Sequence, residues 1–168
     1  VHHFSKIVSG IPLKRPAWFF DVEQEGEAIA DVGTHLVDLI QWEAFPDEVI
    51  DYKNDIEILD SRRWSTELSA AQFKGVTGLE AYPEYLRRFV EDDTLKAIAN
   101  SSVQYTLRGI HSKVSVEWKY VAPEGAGDTH YSIMRGTLSD LIIRQGTEEG
   151  FKPTLYIRAA DENIRSNL

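Results

Sequence analysis

The sequence predicts an α+β fold, with helices concentrated early and an antiparallel sheet built late. Three observations predict it. Apolar residues recur at helical intervals between Ile29 and Phe45. Clear alternation of apolar and polar residues begins only after about residue 101. No repeat and no low-complexity tract interrupts the 168 residues, which fit a single domain over 1–168.

Phe4 to Ser9 reads as the end of a helix, stopped by Gly10 and Pro12. Leu13 to Val22 is aromatic around Pro16 and reads as an extended, partly buried segment. After the acidic stretch Glu23–Glu27, a helix is predicted through Val32, Leu36, Leu39, Ile40 and Phe45, ending at Pro46. Glu48 to Leu59 is predicted as a strand, from the partial alternation of Ile50, Tyr52, Ile56 and Ile58. Ser69 to Phe73 and Pro83 to Val90 read as short helices, the second with proline at its first turn. Val103–Leu107 and Val114–Tyr120 alternate and are predicted as strands with one buried face. A loop over Pro123–Asp128 leads to three further strands, at Tyr131–Arg135, Leu138–Arg144 and Thr154–Arg158.

Composition excludes several functions. Eighteen basic against twenty-seven acidic residues give a net charge of -9, which repels a phosphate backbone, so no nucleic-acid partner is expected. No apolar run approaches the roughly 20 residues that span a bilayer, so no membrane partner is expected either. The absence of cysteine removes thiolate nucleophiles, disulfides and Cys-based zinc sites. Val1-His2-His3-Phe4 resembles neither an initiator nor a signal peptide, and the chain reads as cut from a longer, cytoplasmic protein.

The leading site candidate is Asp31-Val-Gly-Thr-His35. A helix starting near residue 31 or 32 would put Asp31 and His35 on one face, four residues apart. A carboxylate can orient an imidazole and raise its basicity, and the ring exchanges a proton near neutral pH. Gly33 would let a substrate or a neighbouring backbone approach closely. Spacing alone leaves a second reading open, in which Asp31 caps the helix and His35 is a quiet, semi-buried residue.

The wider segment Gly26-Glu-Ala-Ile-Ala-Asp31-Val-Gly33-Thr-His35-Leu-Val-Asp38-Leu39 resembles the G-G-x-x-x-D-x-G-x-H-x-x-D-L segment of the glucose–fructose oxidoreductase and inositol dehydrogenase family. Glu27 stands where that family usually has a second glycine. Pro12–Asp21 and Gly127–Gly136 also look like a subgroup of oxidoreductases without an assigned substrate. The resemblance implies a large, mostly antiparallel open sheet with helices packed on one face, following an N-terminal Rossmann domain. It implies that His35 is the general acid/base and Asp31 the carboxylate that binds substrate hydroxyls. It also implies NAD or NADP in the full-length protein, a sugar, cyclitol or related polyol as substrate, and a homodimer or tetramer formed through the sheet.

The family's E-K-P lysine is missing here. No G-x-G-x-x-G follows a strand, and Gly125-Ala-Gly127 lacks both the third glycine and a following helix. This chain alone is therefore expected to bind no cofactor and to be inactive. Candidate substrate contacts are Lys14, Arg15 and Trp18, which could grip a polyol over an aromatic face, and His130, Tyr131 and Arg135 at a strand edge. His111 reads as a core or surface residue. No metal is expected, since His2 and His3 are adjacent and no H-E-x-x-H or H-x-H occurs. The alternatives are a non-catalytic carbohydrate-binding or dimerisation domain and a metal-dependent hydrolase or isomerase using Asp31 and His35 as ligands.

Overall fold

A computed structural model describes residues 1–161. Its architecture is the expected α+β arrangement of open sheets, and all strand pairs but one are antiparallel. The strands are β1 His2–Ser5, β2 Ile7–Val8, β3 Ile11–Pro12, β4 Ile56–Ser69, β5 Val90–Glu91, β6 Thr94–Leu107, β7 Ile110–Val116, β8 Trp118–Val121, β9 His130–Arg135, β10 Ser139–Gln145 and β11 Thr154–Ala159. The α-helices are α1 Gly33–Ala44 and α2 Ala70–Thr77, and 3₁₀ turns cover Ala17–Phe20 and Glu84–Phe89. Among the described residues, no helix is long and apolar enough to cross a membrane.

The central sheet is built on β6, with β4 along one edge and β5 and β7 sharing the other. β9, β10 and β11 form a second antiparallel sheet, and β1 joins β8 in parallel. α2 packs on β4, β1 and β6, and its apolar side joins the main core of Phe4, Phe20, Leu68, Phe73, Leu86, Leu95 and Trp118. α1 packs against β7, where Leu36, Val37 and Ile40 cover a smaller core of Tyr105, Leu107 and Val114.

Local chemistry explains α2. Ser69 Oγ accepts from the Gln72 N–H while Gln72 Oε1 accepts from the Ser69 N–H, a reciprocal capping box. Gly78, at φ +84, closes the other end by donating to the Lys74 carbonyl.

Several elements differ from the sequence expectation. Phe4–Ser9 is not a helix: β1 pairs with β8, and β2 and β3 form a hairpin whose turn residues Ser9 and Gly10 have φ of +51 and +80. Leu13–Val22 is not extended throughout, because Pro16 opens a 3₁₀ turn at Ala17. The strand predicted from Glu48 begins only at Ile56. Before it, the Asp51 carboxylate accepts from Lys53 N–H and Asn54 Nδ2, closing a turn. Leu39 is half-exposed rather than core-facing.

Val114–Tyr120 is two strands rather than one. Buried Asn100 is the reason: its Oδ1 accepts from the Trp118 N–H at 2.6 Å, and its Nδ2 donates to Thr66 Oγ1 at 2.8 Å and to the Trp64 carbonyl at 3.2 Å. That side chain replaces a ladder bond at a bulge in the β4–β6 register. The chain beyond Glu117 is thereby free to pair with β1.

Candidate functional site

The acidic loop before α1 is held from its first residue. Buried Asp21 accepts from Gln24 Nε2 at 2.7 Å, from the Glu23 N–H at 3.1 Å and from Arg88 Nη2 at 2.8 Å. These bonds, that from Gln24 foremost, hold its carboxyl below the ordinary carboxylate value. Gly26 follows at φ +92, where a Cβ would also meet the Ala30 Cβ at 3.0 Å. Glu27, in the place of the second glycine of the resembling segment, pairs with Arg63 on β4.

A helical turn over 27–31 then runs into α1, with the Ala30 and Asp31 N–H groups both donating to the Glu27 carbonyl. Gly33 is buried so tightly that a Cβ would lie 3.2 Å from the Ala28 carbonyl oxygen and 2.8 Å from Ile29 Cδ1. The close approach that Gly33 permits is therefore to its own loop. Residue 32, not Asp31, stands at the N-cap, and no side chain caps α1. Helix capping does not account for Asp31.

His35 is exposed in the first turn of α1, in an open depression lined also by Ile29, Thr34, Val37, Asp38 and Gln41. Asp31 lies on the other side of the helix start, in the wall of a small aromatic pocket with Phe19, Glu25 and Trp118. Among the described residues no hydrogen bond joins Asp31 to His35, so the carboxylate does not orient the ring here. Asp38 is exposed beside His35.

Arg15 belongs to the Asp31 side. Its guanidinium lies 4.4 Å from the Phe19 ring centre and 4.8 Å from that of Trp118. Burial lowers its affinity for the proton, opposed by the charges of Asp31, Asp128 and Glu25. Glu25 is shifted the other way: burial, then the Asp31 charge, raise its carboxyl above the ordinary value. Lys14 is turned away, with Nζ donating to the Gly75 carbonyl at 2.7 Å near the end of α2. Trp18 is half-exposed on the 3₁₀ turn.

The second group of candidates is split by the alternation of β9. His130 is half-buried, and burial, reinforced by the Val1 amino group and His2, lowers its proton affinity. Tyr131 and Arg135 point to the opposite face, where the register sets them against Arg144 and Asp140. His111 is exposed on β7.

Sequence reasoning missed Glu25 and a cluster around Asp128. His2 Nδ1 and His3 Nδ1 each lie 3.2 Å from a different oxygen of Asp128, and Lys6 Nζ donates to the same carboxylate. Burial opposes its charge, but these three partners hold the carboxyl well below the usual carboxylate range. The histidine pair lies on a strand rather than a helix, and a single carboxylate with two oxygens serves both rings. The only sequence signal was an aspartate ending a glycine-rich loop. Among the described residues, no group of three or more His, Asp or Glu is placed to hold a metal ion, and Asp31, His35 and His130 are not gathered into one.

Comparison with known proteins agrees with this architecture. No curated protein matches the chain. A solved crystal structure of a "putative oxidoreductase" from Parabacteroides merdae ATCC 43184 superposes with a TM-score of 0.94 at 49% sequence identity. The match covers 99% of this chain and 39% of that protein, so the chain spans well under half the length of its relative. The model of the family described as "Putative oxidoreductase C terminal domain" matches residues 1–167, and with nearly every residue inside that match the chain belongs to this oxidoreductase C-terminal domain family.

Proposed function

We propose that this chain is the substrate-handling domain of an NAD(P)-dependent oxidoreductase acting on a sugar, cyclitol or related polyol. The observation that carries the reading is the start of α1. There His35 is free of internal hydrogen bonds and opens to solvent, one turn from an Asp31 that caps nothing. An imidazole so placed can take the proton of a substrate hydroxyl and return it in the reverse direction. Asp31, in the wall of the separate aromatic pocket, offers an acceptor to a more distant hydroxyl of the same substrate.

The cofactor supplies hydride acceptance and donation when bound. The described residues do not fit a dinucleotide phosphate site: Gly125 and Gly127 lie in a loop that enters β9, with no helix N-terminus to receive phosphate. NAD or NADP is therefore held by a part of the full-length protein outside this chain, in the Rossmann domain of the same reading. The test is direct. Full-length protein is expected to reduce NAD or NADP when supplied with a polyol such as myo-inositol or glucose. No reduction with either cofactor across a panel of sugars and cyclitols would sink the reading.

A dimer or tetramer formed through the sheet belongs to the same reading. One face of the β9–β10–β11 sheet exposes Leu141, Leu155 and Ile157. That face has no Asp, Glu, Lys or Arg, although the chain as a whole carries a net charge of -9. Like-charged copies meet with least repulsion on such a face. Light scattering is expected to give at least twice the mass of one protomer, and Leu155→Lys is expected to lower it. A monomer mass for the native protein removes this part of the proposal.

A further inference from the structure

α1 buries one side only. Leu36, Val37 and Ile40 cover the core of Tyr105, Leu107 and Val114, and the opposite side is left to solvent. On that side His35, Leu39 and Trp42 follow one another at i, i+4 and i+7, which sets them in one stripe along the helix. Leu39 is 50% exposed and Trp42 is 73% exposed. Trp42 is the most exposed of the four tryptophans, and among the described residues no ring, cation or hydrogen-bond acceptor engages it. Single exposed apolar side chains are ordinary on a protein surface. A leucine and a tryptophan on adjacent turns of one helix face have the composition of a contact surface.

Length and charge narrow what covers the stripe. The Parabacteroides merdae protein is 49% identical, yet the match covers 99% of this chain and only 39% of that one. A full-length protein built like it has more residues outside this chain than in it. A second copy of this chain fits the stripe poorly. α1 carries Asp38 and Glu43 and no Lys or Arg, so a two-fold contact here would set carboxylates against carboxylates. The face suited to like-charged copies is on the β9–β11 sheet, which exposes Leu141, Leu155 and Ile157.

The stripe also begins at the site. His35 lies in an open depression with Thr34, Val37, Asp38 and Gln41. Trp42 stands seven residues on, about 10 Å along the helix axis. A body resting on Leu39 and Trp42 therefore reaches the rim of that depression.

We propose that the part of the full-length protein outside this chain docks on the Leu39–Trp42 stripe and closes the solvent side of the His35 depression. The contact has an apolar centre, and Asp38 and Glu43 call for Lys or Arg at its edge. The inference rests on the oxidoreductase reading above only for the role of His35; the contact itself stands on exposure, length and charge. The reacting site is then shared, with the imidazole and the floor supplied by this chain and the missing wall by the docked part.

Full-length protein carrying photoreactive p-benzoylphenylalanine in place of Trp42 tests the contact without substrate or cofactor. Irradiation is expected to join position 42 to a peptide outside residues 1–168, in a product with the mass of one protomer. A cross-link to residues 1–168, a product of two protomers, or no cross-link overturns the proposal. Trp42→Lys is expected to speed limited proteolysis between the two parts at least about tenfold, with Trp42→Phe close to native. Circular dichroism establishes that both variants fold. Native protease resistance in Trp42→Lys also overturns the proposal. A cross-link in a protein that oxidises no polyol leaves the docking standing and removes the polyol reading. Polyol oxidation without a cross-link removes the docking alone.

Discussion

Replacing His35 by alanine in the full-length protein is expected to lower kcat for polyol oxidation roughly 10²–10⁴-fold, the usual worth of a positioned general base. The same change is expected to leave stability within about 0.5 kcal/mol. Both halves follow from one placement. His35 is exposed, makes no hydrogen bond within the chain and lies in an open depression on α1. Removing it therefore creates no cavity and orphans no partner, and alanine is the better helix former. A residue that costs nothing to remove from the fold but stops the reaction is acting on the substrate. A variant that keeps kcat within about threefold of native would refute the assignment.

Phe4→Ala is expected to act in the opposite way, costing about 3–5 kcal/mol of stability. Phe4 is fully buried, and its ring centre lies 5.2 Å from that of Trp118 and 5.1 Å from that of Phe20. The cavity left behind is bounded by rings on separate elements, each fixed by its own backbone, so it cannot collapse readily. For a chain of this size the melting temperature is expected to fall by roughly 6–20 °C, and Phe4→Leu is expected to recover most of that. The damage extends to the site. β1 also carries His2 and His3, which with Lys6 just after the strand hold Asp128, and Trp118 supports Arg15. Polyol affinity is therefore expected to fall at temperatures where the mutant is still folded. A loss below about 1 kcal/mol would mean that β1 is not part of the core.

The contrast between these residues shows what was legible in the sequence. The α1 period from Val32 to Phe45 is a local pattern and α1 forms where it lies, and the helix expected from Ser69 forms as α2, held by a local capping box. The strands β9, β10 and β11 appear within a residue or two of their predicted bounds, because turn residues flank each. β4 was legible only over its first residues, Ile56 to Leu59: Asp60 to Arg63 are all exposed, so no alternation marks the continuation. β1 was misread because two residues of alternation around Phe4 cannot outweigh a following Gly10, and its partner β8 is more than a hundred residues away.

The candidate site divides in the same way. The family segment pointed to Asp31 and His35 by their order in the chain, and Gly26 and Gly33 proved to be required by positive φ and close packing. Arg15, Glu25 and Asp128 acquire their importance from neighbours far along the chain, through charge and burial that no spacing encodes.

The sequence by itself therefore determined the fold class, the position of α1 and the residues at its start, since these follow from helical period, turn chemistry and a short contiguous motif. Only the tertiary structure decided that Asp31 is not a cap, that it and His35 open into different hollows, and that Arg15 stands unbonded above Trp118. The reason is physical: periodicity is a property of neighbours in sequence, whereas burial and electrostatic reach are properties of neighbours in space.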